Sequence, residues 1–246
     1  MSEDRRAKML EQIRRNIELY GHHIYAIPGS RLPRYAYTIG RQGRLLGDLV
    51  FAGGEYFKLR EVSTIINDIV NRLSELELID ERPLEVGAFG SFIFRKVDPS
   101  WSSSLMLGAL DYYSSKCVLA SQVVPLGEHW TADVPDMSVP WNADMEPIWR
   151  WVHEPWPYSV PETSIAVTNL DALRGNRITE AARWEESQWE IFAGHGPDVP
   201  RDMARFVPLG VLLGVDPSLR AVLDLAVGEG ICRNPDETEW RAWFTK

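Results

Sequence analysis

Between Pro125 and Pro161 the sequence places seven prolines and five tryptophans in 37 residues, and no other stretch limits the possible folds so sharply. Proline fixes φ and removes an amide donor, so long helices and central strands are disfavoured there. The tryptophans argue against a free linker, because large apolar rings gain by being covered. Trp141, Trp149, Trp151 and Trp156 are interleaved with Pro140, Pro147, Pro155 and Pro157 and cannot share one helix face. The pattern predicts an ordered wrap over 125–161 that joins a first part, 1–124, to a smaller part, 162–246, with at least two of these four rings packed between the parts. A chain of 246 residues can build one large or two modest cores.

Outside the wrap, apolar periodicity predicts alternating helices and strands. Residues 3–20 place Leu10, Ile13, Ile17 and Tyr20 at steps of three and four with charges opposite, which predicts a helix ended by Gly21. HIYAI and YAYTI predict a hairpin-like strand pair joined by seven residues that include Pro28, Gly29 and Pro33. LLGDLVFAG predicts a third strand, bulged or at an edge because glycine interrupts it. Over 56–78, Leu59, Val62, Ile65, Ile66, Ile69, Val70, Leu73 and Leu76 form a stripe that only a helix packs on one side. A strand at 89–97, a helix at 104–114 and a strand at 116–124 follow. In the last part, strands are predicted at 163–170 and 189–194, with the turn GHGPD after the second. ITEAARWEES reads as a short helix or extended arm, 208–214 and 218–225 as short helices, and the end from Gly230 as a last strand with a tryptophan-bearing tail. The class is therefore α+β: a mixed sheet packed with helices in the first part and a smaller α+β second part.

Composition narrows the functional classes. Apolar residues make up 45% and charged residues 25%, the profile of a globular chain. No run reaches the roughly 18 apolar residues of a membrane helix, and no apolar run follows the charged start, which predicts a soluble, cytoplasmic protein with no membrane partner. The formal charge of −9 is uneven: residues 1–47 carry nine basic and four acidic side chains, the remainder seventeen and thirty-one. Such an acidic body repels duplex nucleic acid and suits a basic protein partner, and a homo-oligomer is compatible with it. Cys117 and Cys232 belong to no C-x-x-C pair and read as buried structural thiols. The motifs G-x-S-x-G, G-x-G-x-x-G and H-E-x-x-H and a phosphate-binding loop are missing, so neither a cofactor nor a metal is expected.

YG-HHIY at 20–25, YAYTIG at 35–40, GDLVFAG at 47–53 and VPDMSVPW at 134–141 together resemble the bacterial domain-of-unknown-function family numbered 4262 across about the first 145 residues, with YTIG as the most specific mark. The family pattern carries Pro-Glu where this chain has Gly47-Asp48. This resemblance implies no activity. WEIFAGHG, VLLGVDPSL and LAVGEGICR, within residues 163–234, are weakly similar to immunity-type domains of bacterial toxin systems, which implies a binding role.

Two groups of side chains are candidates for function. The first is a cleft of His23, Tyr35, Tyr37 and Thr38. His23 is in phase with Tyr25 and Ile27 along a strand; imidazole exchanges protons near neutral pH, and the hydroxyls orient or donate hydrogen bonds. With Arg31, Arg34, Arg41 and Arg44 as an anion-accepting rim, this cleft would serve a small hydrolase or transferase acting on an anionic substrate. The competing structural reading is a strand histidine bonded to its neighbours, with the tyrosines as packing. The second group is an interface of Arg174, Arg177, Trp184 and Trp189, residue types that dominate binding surfaces, with Trp184 exposed and Trp189 buried. His129, Asp133 and Asp136 have the spacing of a helical metal face, but Pro135 opposes a continuous helix there. A protein-binding, immunity-like or regulatory module is the leading expectation, and the enzyme is its alternative.

Overall fold

The computed structural model describes residues 3–74, 82–194, 199–200 and 203–243, which build two six-stranded sheets. In the first, β1 (His23–Ile27), β2 (Tyr35–Ile39), β3 (Asp48–Ala52), β4 (Leu84–Glu85), β5 (Ser91–Lys96) and β6 (Ala120–Pro125) lie in the order β1-β2-β3-β6-β5-β4. Neighbours are antiparallel except β3 and β6, which pair in parallel through Asp48↔Ala120, Leu49↔Ser121 and Val50↔Gln122. α2 (Leu59–Ser74) covers one face, burying Val62, Ile65, Ile66, Ile69, Val70 and Leu73 in a cluster with Ala36, Leu49, Phe51 and Phe92. Each such side chain removed from water contributes roughly 1.5–3 kcal/mol. α1 (Glu3–Tyr20), α3 (Pro99–Leu105) and α4 (Leu107–Tyr113) cover the other face, where Ile13, Tyr37, Ile39, Val50, Trp101 and Leu105 cluster. With both faces covered, β3 is buried along its whole length, which its unbroken apolar run LVFA permits.

The second sheet holds β7 (Ile165–Asn169), β8 (Glu180–Glu185), β9 (Gln188–Phe192), β10 (Ala204–Pro208), β11 (Gly230–Cys232) and β12 (Arg241–Ala242) in the order β10-β7-β9-β8-β11-β12. α5 (Leu170–Leu173), α6 (Leu209–Val215) and a 3-10 helix over Pro217–Asp224 pack on the face that presents Ala166, Ala181, Trp189, Ile191 and Val207.

The Pro/Trp segment lies between the sheets. Trp149 is buried against Tyr35 and Trp101, and its indole N–H donates to the Asp133 carbonyl at 2.8 Å. Trp151 and Trp156 meet edge to face, 4.8 Å between centroids, and both lie against Gly210 of α6. Trp151 also lines a hollow with Ile27, Leu32 and Tyr35 from the β1–β2 region. Gly214, one turn beyond Gly210, faces the Ile148 backbone. Buried side chains of both sheets and of this segment form one continuous cluster.

Several elements differ from expectation. β3 is central rather than at an edge, because Gly47, at φ +66°, turns the chain before the strand instead of interrupting it. The helix expected at 104–114 is two short ones: Asp98 caps α3 through the Ser100 amide with Pro99 in its first turn, and the chain breaks at Met106. Residues 180–185 are strand β8, with Ala181 and Arg183 toward the covered face and Glu180, Ala182 and Trp184 lining the open one. Cys117 is exposed and Cys232 half-buried rather than both being buried, since β6 begins only at Ala120 and leaves Cys117 in the preceding connection. The helix end expected at 78, and His195 with its turn, fall outside the described residues. No helix among the described residues is long and apolar enough to cross a membrane.

Candidate functional site

The register His23↔Ile39 and Tyr25↔Tyr37 puts His23 and Tyr37 on one side of the first sheet. There Tyr25, Tyr37 and Tyr35 stack in a row, with centroids 5.5 and 6.3 Å apart. Tyr37 is 1% exposed, its hydroxyl accepts the Gly108 N–H at 2.9 Å, and burial pushes its pKa up. That phenol is a packed core group. Thr38 points to the opposite face, donating to Asp48 at 3.0 Å and accepting the Leu49 amide at 2.8 Å. His23 accepts from the Asn16 amide through Nδ1 at 2.8 Å, and burial lowers its pKa. With His22, Asn16, Tyr20, Ile24, Asn67 and Asn71 it lines a polar hollow of about 500 Å³ that Tyr35, Tyr37 and Thr38 do not line. The four expected catalytic residues therefore do not share a cleft among the described residues.

The arginines beside YTIG diverge as well. Arg31 donates to the Glu154 carbonyl and pairs with Glu162 at 3.3 Å. Arg41 bonds the Gly47 and Leu45 carbonyls, while Arg44 is exposed. They form no common anion rim, because Arg31 and Arg41 are drawn to different loop carbonyls and Arg34 to the seam described next. Asp48 organises the 40–47 loop. Its fully buried carboxylate accepts from the Thr38 hydroxyl, the Arg41 amide, the Gln42 side chain and the Tyr113 hydroxyl. Burial raises its pKa and those donors oppose the rise. The Gly40 N–H in turn donates to Tyr113, so YTIG and Gly47-Asp48 act together as a loop anchor.

Arg34 belongs to a buried ionic seam. Its guanidinium donates to the Gly54 carbonyl at 2.7 Å and to the Phe57 carbonyl, and pairs with Glu55 at 3.3 Å. The Glu55 amide donates to Asp133 of the Pro/Trp segment at 3.2 Å, and Arg205 of β10 donates to the Glu55 and Tyr56 carbonyls at 2.8 Å each. Burial, opposed by Arg34, pushes Glu55 up to about 8, and burial also raises Asp133. Gly53 and Gly54, at φ +69° and +70°, allow the close approach: a Cβ on Gly53 would stand 2.1 Å from the Asp133 carbonyl oxygen. His129 stacks on Phe57 at 5.5 Å, Asp136 accepts from Ser138, and no group of three or more metal-ligating side chains forms among the described residues.

The second candidate group also divides. Trp189 is 1% exposed on the covered face, with the Arg183 guanidinium 4.9 Å above its ring. Arg174 reaches the Glu128 carbonyl, and Arg177 is exposed in the turn before β8. Trp184, 47% exposed, sits at a β-bulge between Arg183 and Glu185, a device that re-aims side chains. On the open face it walls a hollow of about 330 Å³ with Trp243, Phe192 and Val167, and Glu180 and Glu190 also line it. Gly230 seats Trp243, since a Cβ there would lie 2.5 Å from the ring. Phe206, paired across from Val167, is 69% exposed. Glu190 was not among the expected site residues, although the phase of WEIF sets it opposite the buried Trp189 and Ile191.

These features define a two-sheet α+β protein with an ionic seam and, among the described residues, a second-sheet face that no helix covers and that carries Trp184, Phe206 and Trp243. Residues 16–129 match the model of the family described as domain of unknown function (DUF4262). That span holds all six strands of the first sheet and ends inside the Pro/Trp segment. No curated protein and no solved structure matches the chain.

Proposed function

We propose that the chain is a cytoplasmic protein-binding module that receives a basic partner on the open face of its second sheet. The observation that supports this reading is that face itself: described helices pack on the other side only, leaving Phe206 and Trp184 exposed around a hollow that holds Glu180 and Glu190. Exposed aromatic surface of this kind marks interaction sites, and the formal charge of −9 speeds encounter with a basic surface. An immunity-like role, in which the basic surface of a toxin is masked, is the finer form of this reading. The weak similarity of residues 163–234 to immunity-type domains supports it. Arg174 and Arg177 lie outside the hollow and are not needed for it.

Affinity capture from the native lysate tests the reading with three proteins: wild type, the double variant Trp184→Ala/Phe206→Ala, and Leu19→Ala, an exposed control on α1. A stoichiometric partner kept by wild type and by the control and lost by the double variant is expected. A partner retained by the double variant, or no stoichiometric partner for any of them, refutes it.

A further inference from the structure

Glu190 stands on β9, between β7 and β8, with Val167 and Ala182 as its cross-strand neighbours. Trp184, Trp243 and Phe192 line the same hollow. Among the described residues Glu190 meets no hydrogen-bond donor and no cation, whereas Glu180, in the same hollow, is engaged within the fold. A half-buried carboxylate in an open hollow keeps water until a cation replaces it, and its apolar neighbours offer it no partner within the fold. A negative floor beside indole faces is complementary to an organic cation.

The chain itself shows which cation sits well on its indoles. Arg233 lies 4.0 Å above the Trp240 ring, Arg183 4.9 Å above Trp189 and Arg150 5.7 Å above Trp151. A planar guanidinium can stack on an indole and pair with a carboxylate through two N–H groups at once, which a compact ammonium cannot do. At about 330 Å³ the hollow falls near the lower end of ligand sites, roughly 300–1,000 Å³, and suits a single side chain. Resting on the docking reading above, we propose that this hollow is an arginine anchor: it takes one arginine side chain of the partner protein, with the guanidinium paired to Glu190 and covered by Trp184 and Trp243.

Tryptophan fluorescence and calorimetric titration of the full chain test the anchor with N-acetyl-arginine methylamide, its neutral isostere N-acetyl-citrulline methylamide, and free L-arginine. The capped arginine should bind saturably and at least ten-fold more tightly than the citrulline compound, and Glu190→Gln should weaken it at least ten-fold. Equal binding of the two capped compounds to the wild-type protein, which needs no variant to fold, overturns the proposal, as does unchanged binding by Glu190→Gln. Tighter binding of free arginine than of the capped residue overturns the assignment to a partner protein's side chain. If the probe discriminates as expected while the Trp184→Ala/Phe206→Ala variant keeps its lysate partner, the anchor stands and the docking reading falls. If the probe fails while that variant loses its partner, the reverse holds.

Discussion

Gly214 offers a test of how tightly the Pro/Trp segment is held, because two opposing effects of known size meet there. Replacing it with alanine in α6 gains about 1 kcal/mol of helix propensity. The added Cβ, however, would lie 2.6 Å from Ile148 Cα and 2.7 Å from Ile148 N, closer than the 3.0 Å that real Cβ contacts respect. Those atoms are backbone, so no rotamer change relieves the clash. The segment must shift, carrying Trp149 and Trp151 out of their packing. Overfilling a packed site costs roughly 1–3 kcal/mol, and the backbone contact places this case in the upper half of that range. The net expectation for Gly214→Ala is a loss of about 1–2 kcal/mol, read as a lower urea midpoint with unchanged slope by tryptophan fluorescence and far-UV circular dichroism. Adding Ile148→Ala removes the Cγ1 contact but not the backbone one and should not restore stability. A Gly214→Ala protein as stable as wild type, or more so, would show that the segment yields easily and that the seam is not rigid.

The ionic seam predicts a stability that falls with pH. Folded Glu55 keeps its proton up to about 8 while the unfolded chain releases it near 4.5, so its contribution is present at low pH, is lost between these values and is flat above them. At about 1.36 kcal/mol per pH unit the ceiling is about 5 kcal/mol, and Glu55→Gln should remove most of the slope; a slope undiminished in that variant rules Glu55 out as its source. Asp48→Asn leaves buried donors poorly matched, which should cost about 2–3 kcal/mol and speed tryptic cleavage after Arg44; unchanged cleavage contradicts the anchor role of Asp48. Replacing Trp149 and Trp151 with alanine removes two buried rings at roughly 3–5 kcal/mol each and should open 125–161 to protease. Rapid cleavage there in the wild type, releasing two stable halves, would show a linker instead.

The α2 stripe was legible because seven of its apolar positions, Leu59 to Leu73, lie within one helix and need no distant partner to be recognised. The central place of β3 was not, since its burial on both faces depends on the parallel partner β6 and on α1, α3 and α4, which sequence spacing does not position. The strand phase of His23 and Tyr37 was readable, but not that Gly108 occupies the Tyr37 hydroxyl or that Asn16 occupies His23 Nδ1. The seam was beyond reach for a plainer reason: Glu55 meets Asp133 across 78 positions and Arg205 across 150. For the sheet-face hollow, alternation foretold which way Glu190 points. That no cation among the described residues answers it follows only from how the face is packed.

The parallel pairing of β3 with β6 governs how the chain is born. β3 ends at Ala52 and its partner begins at Ala120, so 67 further residues must be synthesised before the inner edge of β3 finds its ladder. At about 5–20 residues per second that edge waits roughly 3–13 s, apolar from Leu49 to Ala52 and with its amides and carbonyls unanswered. An unpaired apolar strand edge is a template for joining another chain, and non-local strand pairing is slow to form even once its partner exists. The hazard of aggregation, and the demand on chaperones, is thereby concentrated in the interval between the synthesis of β3 and that of β6.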